Sequence, residues 1–133
     1  MAKILIADDD RDILMLLASR LRANNYEVVT ALDCSQAIKK AYSEKPDLIL
    51  MDIRMPMVGG MRAFSNLKMY SRTENIPVIF ITAYPGKEVE QEAREMGAAD
   101  FIAKPFETNQ LLLKIRKVLK LEVDQESSIE KSA

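Results

Sequence analysis

Five short apolar runs, near residues 3–7, 26–31, 47–52, 77–82 and 100–103, alternate with five stretches of helical spacing. The runs are mostly continuous: Ile4-Leu5-Ile6-Ala7, Leu48-Ile49-Leu50-Met51 and Val78-Ile79-Phe80-Ile81 leave no polar face. A strand of that kind must be covered on both sides, which suits a parallel sheet between two helical layers. The intervening segments place apolar residues three or four apart: Ile13, Leu17 and Leu21; Ala37, Ile38 and Ala41; Met61, Phe64 and Leu67; Val89, Ala93 and Met96; Leu111, Ile115, Val118 and Leu119. Parallel neighbours need crossover connections, so five such units predict an α/β fold, a doubly wound five-stranded sheet with five helices. The turn residues agree. Asn24-Asn25 closes the first helix, Gly59-Gly60 opens the third, and Gly97 sits where a left-handed C-terminal residue is wanted.

The runs end on polar residues, and there the sequence stops describing a core. The first runs into Asp8-Asp9, the third into Asp52, the fourth into Thr82 and the fifth into Lys104-Pro105. Parallel strands bring all of these ends to one edge of the sheet, the edge where open α/β sheets bind ligands. Taken singly, each has an ordinary reading. Asp8-Asp9-Asp10 caps a helix, Asp52 sits in a turn that Pro56 anchors, Thr82 satisfies a neighbouring amide, and Lys104 is a solvated loop lysine. Taken together they are a constellation. Three carboxylates at one edge repel one another unless a cation sits among them or a proton is shared, and an all-oxygen donor set suits Mg²⁺ or Ca²⁺ rather than zinc. A hard cation, an ammonium, a hydroxyl and a spare carboxylate describe a phosphoryl-transfer site with the carboxylate as nucleophile.

Composition excludes several alternatives. With 19 Lys and Arg against 20 Asp and Glu, the chain has no global attraction to nucleic acid or anionic membrane. No apolar run approaches the ~20 residues that cross a bilayer, and the first residues lack a signal peptide's apolar stretch and cleavage site. One cysteine, Cys34, forms no internal disulfide, and a cytoplasmic location is expected. There is no histidine. Any phosphohistidine chemistry must therefore come from a partner.

The chain resembles the receiver domain of the two-component response regulator family, similar to stand-alone regulators of the chemotaxis type. The resemblance covers about residues 2–120. It rests on Ile-Leu-Ile-Ala-Asp8-Asp9, Leu-Ile-Leu-Met-Asp52-Ile-Arg-Met-Pro56, Gly60, Ile-Thr82-Ala83 and Ala-Lys104-Pro105-Phe106. It implies a flavodoxin-like strand order 2-1-3-4-5, a receiver domain over 1–120 and a polar C-terminal tail over 121–133. It further implies that Asp52 is the phosphoacceptor. Asp9, Asp52 and the backbone carbonyl of Arg54 would bind Mg²⁺, with Asp8 acting through water. Thr82, the Ala83 amide and Lys104 would hold the phosphoryl oxygens. Thr82 and Phe101 would form the switch, and Pro105 would follow Lys104 through a cis peptide bond. Arg54 and Tyr84 would flank the water that hydrolyses the acyl phosphate; both are large, and the expectation is that they shield it.

Two positions depart from the family pattern. Gly59-Gly60 stands where Asp-Gly is usual, and Phe101 where the switch aromatic is often Tyr. The function expected is a phosphorylation-activated switch in a phosphorelay, loaded by a sensor histidine kinase or phosphotransfer protein. The signal would leave through the face built from the fourth helix, fifth strand and fifth helix to a protein target. Neither direct nucleic-acid binding nor membrane attachment is expected. On that face Asp100 could meet Lys114 or Arg116 of a second copy in a weak or phosphorylation-dependent homodimer; a solvated pair or an intrachain contact is at least as good a reading. An aspartyl-phosphate phosphatase would want a second carboxylate two residues after the nucleophile, where this chain has Arg54. The chain is thus expected to store a phosphoryl group and assist its own phosphorylation and dephosphorylation, rather than turn over as an enzyme.

Overall fold

The computed structural model describes residues 1–55 and 59–132, and for 121–132 the backbone alone. Strands β1 (Lys3–Ala7), β2 (Glu27–Ala31), β3 (Leu48–Asp52), β4 (Val78–Thr82) and β5 (Asp100–Ala103) alternate with helices α1 (Arg11–Ala23), α2 (Cys34–Glu44), α3 (Gly60–Lys68), α4 (Lys87–Glu95) and α5 (Thr108–Ser132). Every strand pair is parallel and the order is β2-β1-β3-β4-β5, the doubly wound sheet expected.

Alternate residues of the buried strands feed two separate cores. Ile4, Ile6, Leu48, Leu50, Ile79 and Ile81 pack with Leu14, Leu17 and Leu21 of α1 and Leu111, Leu112 and Ile115 of α5. Leu5, Ala7, Ile49, Met51, Val78 and Phe80 pack with Ala37 and Ala41 of α2, Ala63, Phe64 and Leu67 of α3, and Ala93 of α4. All five residues of β3 and all five of β4 are buried, each large apolar side chain contributing about 1.5–3 kcal/mol. That burial explains why these runs are continuous in sequence.

Local chemistry sets the helix ends. Asp10 caps α1 by accepting from the Asp12 and Ile13 amides, and Asp33 caps α2 through the Gln36 amide. Asn25 and Gly97 hold the positive φ angles that reverse the chain after α1 and α4. Helix α5 runs past residue 120, where a polar tail is expected, to Ser132. No Gly or Pro follows Pro105 to stop it, and Leu, Glu, Gln and Lys there sustain a helix. Pro56, the expected loop anchor, lies outside the described residues. No described helix is long and apolar enough to cross a membrane.

Strand order reverses between β1 and β3, so the crevice beyond their carboxyl ends is the natural ligand position. The register keeps the polar ends nearly level: Ala7 lies beside Met51, Asp52 beside Ile81, and Thr82 beside Ala103.

Candidate functional site

At that crevice the polar ends of four strands meet. Lys104 Nζ donates to Asp8 Oδ2 at 2.9 Å and to Asp52 Oδ2 at 3.1 Å. The other oxygen of Asp52 accepts the Arg54 amide at 2.9 Å, and Asp8 Oδ1 accepts the Asp10 amide at 2.9 Å. Both carboxylates are thereby fixed in orientation. Asp9 is exposed at the rim, and one oxygen each of Asp8, Asp9 and Asp52 lies within 4.8 Å of the others. Thr82 is buried; its hydroxyl oxygen accepts the Tyr84 amide at 3.0 Å, and its carbonyl accepts the Lys104 amide at 2.7 Å. The Lys104–Pro105 peptide is cis.

The electrostatics are unbalanced. Asp8 is 1% exposed; burial raises its pKa above the ordinary carboxylate value, and the Asp52 charge adds to the rise, while the Asp10 amide and Lys104 pull it back. Burial works against the Lys104 ammonium, yet its bonds and charge contacts with Asp8 and Asp52 prevail and its pKa is raised. One ammonium is bonded to two of the three carboxylates. The oxygen-only donors and the shortage of positive charge fit a hard divalent cation.

Two of the ordinary readings are observed at these positions. Asp10 is the helix cap, which frees Asp8 and Asp9 for the crevice, and Thr82 does satisfy an amide. On the neighbouring face Asp100 makes the intrachain contact, accepting from Lys114 Nζ at 3.2 and 3.3 Å, with Arg94 at 3.7 Å. Phe101 is already 7% exposed, packed in the core beneath α4.

Two features escape sequence reasoning. The Arg54 guanidinium stacks over the Tyr84 ring, 4.0 Å from its centroid, joining the loops after β3 and β4. Gly60 has no room for a side chain: an added Cβ would fall on the Asp52 carbonyl oxygen and 2.9 Å from Ile53 Cα. The Gly-Gly pair was the available signal, but only the packing says which of the two is sterically required.

Beside the crevice a cleft of about 440 Å³ runs between α1 and the loop after β5. Ile13, Leu16, Leu17 and Phe106 form its apolar wall, with Ala83 and Lys104 also lining it.

Comparison with known proteins agrees with this geometry. Residues 4–116 match the response regulator receiver domain family. The chain is 37% identical over 126 residues to response regulator PleD of Caulobacter vibrioides, covering 93% of this chain and 28% of that protein. Against sporulation initiation phosphotransferase F of Bacillus subtilis it is 35% identical over 119 residues, 90% of this chain and 94% of that one. It spans about half the length of several transcriptional regulators it also matches. Among solved structures, the chemotaxis protein CheY4 of Vibrio cholerae superposes with a TM-score of 0.84 at 32% identity over 89% of this chain and 98% of that chain. A CheY-like receiver domain protein of Methanospirillum hungatei gives 0.88 at 28%, over 94% and 98%.

Proposed function

Because this chain belongs to the response regulator receiver domain family, whose members are phosphoacceptor signalling switches, we propose that Asp52 is its phosphoacceptor. We infer a partner's phosphohistidine, on a sensor kinase or phosphotransfer protein, as the source. The carrying observation is Lys104, held between Asp8 and Asp52 at 2.9 and 3.1 Å in a crevice with three carboxylates. An Asp52 oxygen attacks phosphorus, the P–N bond breaks, and the leaving imidazole keeps the electron pair and takes a proton. Lys104, the Thr82 hydroxyl and the Ala83 amide receive the phosphoryl oxygens. Asp9, Asp52 and the Arg54 carbonyl would hold Mg²⁺, with Asp8 acting through water. When bound, the ion supplies the positive charge that the carboxylates and phosphoryl group lack.

The apolar cleft beside Lys104 suits the docking of the donor. The Arg54–Tyr84 stack covers the approach of water to an acyl phosphate, and with Arg54 in place of a second acid the site favours storage over turnover. Drawing Thr82 toward a phosphoryl oxygen takes its hydroxyl from the Tyr84 amide and loosens the start of α4. Phe101 begins buried, so its part is a rearrangement within the core beneath α4. The readout is a protein target at the α4–β5–α5 face, in the cytoplasm, without direct nucleic-acid or membrane contact. A weak or phosphorylation-dependent dimer through this face requires Asp100 to exchange its own Lys114 for that of a second copy.

Incubation with Mg²⁺ and acetyl phosphate or phosphoramidate should add about 80 Da by mass spectrometry, one phosphoryl group. Asp52→Asn should abolish the adduct. A wild-type chain that stays unlabelled would leave a scaffold without the chemistry.

A further inference from the structure

On the opposite flank from α5, α2 and α3 enclose a second cleft of about 440 Å³, lined by Ile38, Lys39, Tyr42, Asn66, Leu67 and Tyr70 with Thr73 at its floor. Its rim is unusually apolar for a surface: Tyr42 is 52% exposed, Tyr70 54% and the neighbouring Met69 75%. Asn66 Oδ1, buried in the wall, accepts no hydrogen bond among the described residues.

The charge around this cleft sets it apart. Residues 34–45 and 60–74 carry six Lys and Arg against two glutamates, in a chain whose total is −1. One of those glutamates, Glu44, is taken by Lys3 at 3.1 Å. None of the six cations forms an ion pair among the described residues. Several are held by neutral groups instead. Arg72 bonds the Tyr42 carbonyl at 3.0 Å and lies 4.5 Å from the Tyr42 ring centroid. Lys68 bonds the Glu74 carbonyl at 2.8 Å and lies over Phe64, and Lys40 bonds the Thr30 carbonyl. The positive charge is positioned but not neutralised.

We propose that the α2–α3 cleft is a docking groove for an acidic, amphipathic segment of another protein. Its apolar side chains enter between Tyr42 and Tyr70, and its carboxylates meet Lys39 and Arg72. Half-exposed tyrosines flanked by arginine are the composition of binding hot spots, and an amphipathic helix in an apolar groove is a common peptide-recognition mode. The apolar lining favours this occupant over nucleic acid, whose phosphates would track charge rather than Ile38 and Leu67. A second copy is a poor fit: its α4 is acid-rich, but the apolar residues of α4 face its own core. The groove engages none of the crevice residues, so it can hold a partner whether or not the switch is loaded.

The test uses three synthetic 16-residue amphipathic peptides sharing one Leu/Phe face, with polar faces of Glu, of Ser and Gln, or of Lys. Titrated into the ¹⁵N-labelled chain, the Glu-faced peptide should shift the amides of Tyr42, Asn66 and Tyr70, and the Lys-faced peptide should not. Lys39→Glu and the pair Tyr42→Ala/Tyr70→Ala should each weaken binding about tenfold while circular dichroism and labelling by acetyl phosphate are retained. Asp52→Asn should bind as the wild type does, which separates this proposal from the phosphoryl reading. Equal titration by the Lys-faced peptide, shifts gathered on Lys114–Lys120 of α5, or no shift at millimolar peptide would overturn it. So would stronger displacement of the same amides by oligouridylate, or their movement on dilution of the chain alone.

Discussion

Helices α3 and α4 are each nine residues long and each follows a strand that ends on a site residue, yet they are held very differently. α3 buries Gly60, Ala63, Phe64 and Leu67, and its first residue packs directly on the Asp52 backbone. α4 buries Ala93 alone. Asp52 is therefore braced by a helix that cannot shift without breaking the core, while Thr82 leads into one that can. In a switch this division places rigidity where chemistry needs geometry and looseness where a signal must become motion.

The contrast breaks first on core deletions. Phe64 meets Phe80 edge-to-face at 5.3 Å, and Phe64→Ala should cost about 4 kcal/mol in urea unfolding, against about 1 kcal/mol or less for Val89→Ala in α4. Equal losses would mean α4 is as firmly seated as α3. Gly60→Ala should cost roughly 3 kcal/mol and slow acetyl phosphate labelling, since the new methyl pushes on the Asp52 carbonyl. Gly86→Ala should do neither, because nothing lies within 4 Å of its missing Cβ.

The Arg54–Tyr84 stack spans the two regions. Exchanging both residues for Ser removes about 1 kcal/mol of contact and should speed loss of the phosphoryl group roughly fivefold, read by the decay of the mass adduct; an unchanged decay would remove the shielding role. Asp8 offers a pH test. Its pKa is raised in the folded state by burial, so stability falls as pH rises from the ordinary carboxylate value through the folded one, and the cost is complete above it. Asp8→Asn should raise Tm near neutral pH, read by thermal unfolding. The gain should vanish in acid below the ordinary carboxylate pKa. The smallest effect comes from Gly86→Asp, which gives α4 the side-chain cap it lacks. A few tenths of a kcal/mol should appear as slower hydrogen exchange confined to α4.

What could be read beforehand follows the range of the forces involved. Continuous apolar runs ending on Asp8, Asp52, Thr82 and Lys104 revealed both the sheet and the edge where its chemistry gathers, because strand burial and strand direction are written locally. The strand order came only through the family likeness. The Arg54–Tyr84 stack was not legible, since it joins loops thirty residues apart through side-chain placement alone. The pairing of Asp100 stayed open for the same reason: sequence offers charges, and only packing chooses between neighbour and second copy. The length of α5 is not legible because polar composition reads as loop, although no Gly or Pro interrupts the helix.

Asp100 has one more consequence. Arg94 reaches it from α4 and Lys114 from α5, so a single carboxylate on the sheet edge ties the loosely seated helix to the long one. This is a tie rod made of charge, and its half-exposed Arg94 end is the part sensitive to the medium. At physiological ionic strength the screening length is about 8 Å, longer than either contact; in molar salt it shrinks to about 3 Å, and the more exposed Arg94 contact should weaken before the Lys114 one. The coupling of α4 to α5 is thus a property of the solution as well as of the fold.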